Sequence, residues 1–174
     1  MSTQGLKHSE RLRVGIILER RRIDSRWQEH AWRATAVVAG APDIAAPLLL
    51  ARGEGFERYH FATLDIEIHR SETEGYRYNL SQAEPVVYAM WRLSAEDPAA
   101  WPDLFHVTVC PYEAQDYLDG GDVIVEGVPM PEAVALWLAG YVARHHVDAP
   151  FEKRPRRRQT EGRRMAPIEE DDLG

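Results

Sequence analysis

Apolar and polar positions alternate from the start of the patterned region. Between Arg11 and Ile23, Val14, Ile16 and Leu18 alternate with Arg13, Gly15, Ile17 and Glu19. A period of two predicts a strand, here with a partly buried second face. A second strand is predicted over Ala34–Ala39, ending at Gly40. Sequential strands usually pair, so the two form a hairpin. Residues 41–55 contain Pro42, Pro47, Gly53 and Gly55 and read as a long connection, with Asp43–Ala51 forming a helical turn or a short edge segment. In residues 56–69, Tyr59 and Phe61 fall out of phase with Leu64, Ile66 and Ile68. That phase change predicts a register break near Ala62 and Thr63. Ser71–Gly75 is a polar turn, and Tyr76, Tyr78 and Leu80 alternate again as a strand. Pro85 opens a strand over Val86–Leu93, since proline is tolerated at a strand start. Ser94–Pro102 is a loop, Leu104–Cys110 a strand and Val123–Val128 an extended segment.

The period then changes. Pro111 suits a first helical turn, where its missing N–H is not needed. Glu113 and Asp116 follow where the helix dipole favours acids, and Gly120-Gly121 stops the helix. A last helix, about Pro131 to His146, turns Val134, Leu136, Trp137, Leu138, Tyr141 and Val142 toward a core. The expected class is α+β, a mainly antiparallel sheet of about seven strands followed by two C-terminal helices. Residues 1–10 are expected to be a disordered lead-in, 11–150 a single globular domain and 151–174 a charged, disordered tail.

Charge sharpens this division. Residues 1–150 hold 14 Lys+Arg against 22 Asp+Glu, residues 151–168 hold 7 against 2, and the last six residues hold four acids. An acidic body repels phosphate backbones, so nucleic acid is not an expected partner. The longest apolar run, Ala45–Ala51, is far short of the ~20 residues of a membrane span. The polar N-terminus lacks an export signal's apolar region, and Cys110 is the one cysteine. A cytoplasmic protein is expected on both counts.

Four groups of side chains carry candidate chemistry. Arg20, Arg21 and Arg22 close the first strand and Arg26 follows; they are either a solvated strand end or an anion or partner contact. Trp27 and Trp32 bracket Gln28-Glu29-His30. Core anchoring is the default for both, and an exposed recognition patch the alternative. His106 and Cys110 fall on one face of a strand at even spacing. Two donors do not make a metal site, which needs about four, so no metal is expected. Cys110 at a helix start, with His106, His30 or His60 as base, is the one enzymatic arrangement on offer. Glu113, Asp116, Asp119, Asp122 and Glu126 form either a solvated acidic face or a docking face for a basic partner, and their order is not that of a calcium loop.

Several segments together carry a resemblance: IDSRWQEHAWR after the first strand, LDIEIHRSETEGYRYNLS, VTVCPYEAQDYLDGGDVIVEGVPMP, and the closing RHHVDAPFEKR. Over residues 11–157 the chain resembles an uncharacterised bacterial family, a domain of unknown function whose genes lie beside formate dehydrogenase and its maturation factors. The resemblance implies a setting in molybdenum-enzyme assembly or function, with formate dehydrogenase or its maturation factors as partners. It implies no activity, cofactor or site residue. Some members are labelled molybdopterin-guanine dinucleotide biosynthesis proteins. The residues here do not fit a nucleotidyltransferase, because the first strand runs into ERRRIDSRW with no glycine-rich phosphate loop. The leading expectation is a non-catalytic accessory protein that binds a partner through Arg20, Arg21, Arg22, Arg26, Trp27, Trp32, Glu113, Asp116 and Asp119. The alternatives are a binder of a phosphorylated, molybdopterin-type ligand through the arginines, and a Cys110-dependent enzyme.

Overall fold

The structure is a computed structural model that describes residues 9–147. Seven strands form two antiparallel sheets. Sheet A has the order β2-β1-β4-β3, from β1 (Ser9–Arg22), β2 (His30–Ala39), β3 (Leu48–Gly53) and β4 (Phe56–His69). Sheet B has the order β6-β5-β7, from β5 (Val86–Arg92), β6 (Asp103–Thr108) and β7 (Ile124–Pro129). Helix α1 (Thr73–Ser81) joins the sheets, α2 (Pro111–Asp119) links β6 to β7, and α3 (Glu132–His145) follows β7. The α+β class holds. The strands divide into two sheets, and one helix lies between the last two strands.

The core forms where the two sheets and α3 meet. Val14, Ile16 and Leu18 of β1 and Ile66 and Ile68 of β4 pack with Val87 and Trp91 of β5 and with Val134, Leu138 and Tyr141 of α3. Their alternation along the strands is the burial pattern that a period of two requires. A second cluster, Met90, Ala114 and Val123, joins β5 to α2. The two sheet edges β2 and β7 run side by side, as do β4 and β6.

Two segments differ from the sequence expectation, and a third decides between its alternatives. Tyr76, Tyr78 and Leu80 lie on α1, where Thr73, Gly75, Tyr76 and Asn79 are buried and Tyr78 is exposed. Three alternating residues fit a strand, but Tyr76 and Leu80 are also one helical turn apart. The connection over residues 41–55 contains β3, an edge strand that pairs with β4, so the edge-segment alternative is the one realised. β1 begins at Ser9, inside the expected lead-in. The register break occurs where Ile16 and Ile17 pair with Ala62 and His60, which leaves Phe61 as the extra residue, beside the expected position. The remainder of the lead-in and the 151–174 tail lie outside the described residues.

Asn79 locks the sheet-B end of the molecule. Its Nδ2 donates to Val86 O (2.7 Å) and Val109 O (2.9 Å), and its Oδ1 accepts from Val86 N (3.0 Å). One buried amide therefore ties the end of α1 to the start of β5 and to the residue just before Cys110.

Candidate functional site

The chemistry-bearing residues separate into two places. The first is the β6–α2 junction. Cys110 is the N-cap of α2 but contributes no side-chain cap. Glu113, at the third helical position, reaches back instead. It accepts from His106 Nε2 (2.5 Å) and from Thr108 Oγ1 (2.7 Å), and Thr108 Oγ1 in turn accepts from Cys110 N (3.1 Å). The His106 hydrogen bond, with that of Thr108, holds the Glu113 carboxyl below the usual carboxylate range against an opposing desolvation cost. His106 is also flanked by Phe105 and Tyr117. The result is a helix-start clamp built from strand side chains.

Cys110 itself is 3% exposed. Burial pushes its thiol pKa up, partly offset by the Glu113 and Tyr112 N–H groups. None of His106, His30 or His60 hydrogen-bonds its sulfur among the described residues: His106 is taken by Glu113, and His60 Nε2 contacts Thr63 Oγ1 at 2.8 Å. A nucleophilic thiolate needs a lowered pKa and a base, and the geometry supplies neither. Asp116 is exposed, and Asp119 accepts from Gln115 Nε2 on its own helix (2.9 Å). Glu126 is a structural staple: it accepts from Arg33 Nε and from Ala34 N, both at 2.8 Å. Among the described residues no three of His, Cys, Asp and Glu converge as metal ligands.

The second place is the far end of sheet A. Arg20 pairs in register with Trp32 and with Glu57, so all three share one face. The Arg20 guanidinium lies over Trp32 (5.8 Å), Tyr59 (6.0 Å) and Trp101 (5.2 Å) and donates to Glu57 (2.6 Å). The Tyr59 hydroxyl donates to the same carboxylate, and Arg52 sits 3.3 Å from it. These contacts hold the Glu57 carboxyl low, with the Tyr59 hydrogen bond the largest cause and Arg20 next. Trp101, from the β5–β6 connection, meets Tyr59 edge-on at 4.8 Å and Trp32 at 5.2 Å. This cluster pins that connection to sheet A through ring contacts and cation–π attraction.

Arg21 belongs to the opposite face. It donates to Glu19 (2.9 Å), which also accepts from Arg58 (2.8 Å). Glu19 is 6% exposed, and the Arg58 hydrogen bond, then that of Arg21, holds it low despite burial. Arg20 and Arg21 are thus each committed to a carboxylate, on different faces of one strand, and do not converge on a single phosphate. The β1–β2 connection, residues 23–29, is closed by Ile23 N donating to Glu29 O (3.0 Å), and Trp27 N donates to Ser25 Oγ (3.2 Å). At its tip Trp27 is 84% exposed. Arg22 and Arg26, which precede it in the chain, are exposed and form no salt bridge among the described residues. Core anchoring holds for Trp32, which packs against the core cluster, and fails for Trp27.

Several participants were not singled out from the sequence. Glu57, Tyr59 and Trp101 reach Arg20 across 37 or more positions of chain, and no local pattern signals that. Thr108 was legible in principle, as a hydroxyl two residues before a helix N-cap with an acid at the third helical position.

No curated protein matches the chain, and no solved structure does. A family model, described as a protein of unknown function (DUF3305), matches residues 13–155. The match takes in both sheets, the clamp at Glu113 and the exposed Trp27 tip, and the chain belongs to the DUF3305 family.

Proposed function

We propose that the protein is a non-catalytic accessory protein that binds a partner protein through the tip of the β1–β2 hairpin. The observation that carries this reading is Trp27, 84% exposed on a turn that also carries the exposed Arg22 and Arg26, neither of which pairs with a carboxylate among the described residues. A bare indole on a surface turn costs solvation and adds nothing to the core. Tryptophan and arginine are also the residue types that most often anchor interfaces. Trp27 fills an apolar pocket of the partner, and Arg22 and Arg26 orient the encounter with an acidic rim. Paired arginines on the two faces of β1 hold the hairpin stem in one geometry, so little order has to be gained on binding.

The setting we propose is the formate dehydrogenase system, with the enzyme or a maturation factor as partner. It rests on the family resemblance carried by LDIEIHRSETEGYRYNLS and CPYEAQDYLD. Affinity capture with tagged full-length protein from cells making formate dehydrogenase tests both parts. A specific protein of that system is expected in the wild-type eluate and is lost with Trp27→Ala. Recovery of the protein alone, under conditions that preserve weak complexes, sinks the reading. Capture that Trp27→Ala leaves intact places the interface elsewhere.

A further inference from the structure

The edges of the two sheets are not treated alike. The edge of β2 meets β7, where the Glu126 carboxylate takes the Ala34 N–H and Arg33. β6 lies beside β4. β3 ends the order of sheet A, so among the described residues one side of its backbone has no strand partner. All six of its residues are exposed, and Leu48, Leu49 and Leu50 are 52%, 46% and 55% exposed. Leu48 pairs with His60 and Leu49 with Tyr59, so these two leucines project from opposite faces of the sheet. Leu50 has no cross-strand partner on β4. Residues 47–51 hold no charge. Natural edges are normally blunted by lysine, an inward charge or a cover, and an apolar edge left bare is a template for another strand.

We infer that β3 is a self-association edge: two copies pair β3 against β3, antiparallel about a two-fold axis, and join their four-stranded sheets into one. The strand's own charge pattern suits a second copy as the occupant. With the axis between Leu49 and Leu50, Leu48 faces Ala51 and Leu49 faces Leu50. Arg52, the one charge of the strand, then faces Pro47 and stays clear of its own symmetry mate. Apolar residues therefore oppose apolar ones, with no like charges across the pair, in a chain whose formal net charge is −7. A two-fold pairing of one edge also closes on itself and stops at a dimer. The strand is six residues long and irregular at Leu50. That is little surface beside the roughly 1,200 Å² of a stable interface, so the dimer is reversible and concentration-dependent.

The test is sedimentation velocity of the full-length chain from about 1 µM to about 1 mM. A reversible monomer–dimer equilibrium is expected. Leu48→Lys with Leu50→Lys should move its midpoint at least about tenfold higher in concentration. Because both leucines are exposed, the melting curve should stay where it is. If the lysines unfold the chain, the Leu48→Gln and Leu50→Gln pair puts the same question. A monomer throughout overturns the inference. So does a dimer whose midpoint ignores the substitutions, or open-ended growth in place of a dimer. None of these outcomes depends on partner capture through Trp27.

Discussion

The β6–α2 junction and the β1–β2 tip each gather side chains suited to chemistry or recognition and use them in opposite ways. At the junction, His106, Thr108 and Glu113 satisfy one another within 2.5–2.7 Å, and Cys110 is sealed beneath them. At the tip, the side chains of Trp27, Arg22 and Arg26 face solvent, and the two arginines form no salt bridge among the described residues. The energy of the junction's mutual contacts goes into holding a helix start. Groups left open cost the monomer something and return it only when a partner arrives. On this ground we assign the junction to stability and propose the tip for recognition.

Exchanging the expected phenotypes would break that division most directly. Trp27→Ala should cost partner capture at least about 2 kcal/mol, near thirtyfold in affinity. It should leave unfolding free energy within about 0.5 kcal/mol of wild type, as exposed substitutions do. Glu113→Ala should do the reverse. It strands the His106 and Thr108 donors, at a cost of about 2 kcal/mol in urea unfolding, with capture unchanged. A Glu113→Ala protein as stable as wild type would remove the clamp from the account.

Acid titration sharpens the same point with a smaller effect. The His106 hydrogen bond holds Glu113 below its unfolded pKa. A carboxyl with a depressed folded pKa binds its proton more readily in the unfolded state. Its stabilisation is complete above the unfolded value, near 4.5, and is lost as pH falls through the folded value. Wild type should therefore exceed Glu113→Gln in melting temperature at pH 5, and the gap should narrow by pH 3. A gap that widens on acidification would have the wrong sign for a depressed carboxyl.

The legible parts of this chain were those where local pattern and tertiary demand agree. Val14, Ile16 and Leu18 alternate because one face of β1 meets the core, and Pro111 with Gly120-Gly121 brackets α2 as expected. At Tyr76–Leu80 the pattern was too short to separate a period of 2 from one of 3.6, and burial of Tyr76 beside Tyr141 favoured the helix. Leu48–Leu50 lacks alternation because an edge strand with no cover has no buried face to enforce it. For the sites, the sequence supplied Trp27 and Trp32 as a pair but not their opposite fates. Trp32 is drawn in by Phe61 and Trp101, whose positions along the chain are remote. The pairing of Glu113 with His106 crosses from a strand to the next helix, and the period of neither element marks it.

The smallest expected effect probes how tightly the junction seals Cys110. Gly75 lies in α1, where glycine should cost about 1 kcal/mol relative to alanine. Its presence is explained by space. A Cβ at Gly75 would stand 2.9 Å from Cys110 Sγ and 3.2 Å from Tyr112 Cδ2. Gly75→Ala should therefore destabilise the protein by about 1 kcal/mol, because overpacking against the sulfur outweighs the gain in helix propensity. Cys110→Ala alone should cost about 1 kcal/mol for the small cavity left by the thiol. In the double variant the new methyl occupies the space the sulfur vacated, so the two losses should not add. A coupling of at least about 0.5 kcal/mol in the double-mutant cycle is expected. Strict additivity would mean that Cys110 is looser than its burial indicates, and the sealed junction would begin to resemble the open tip.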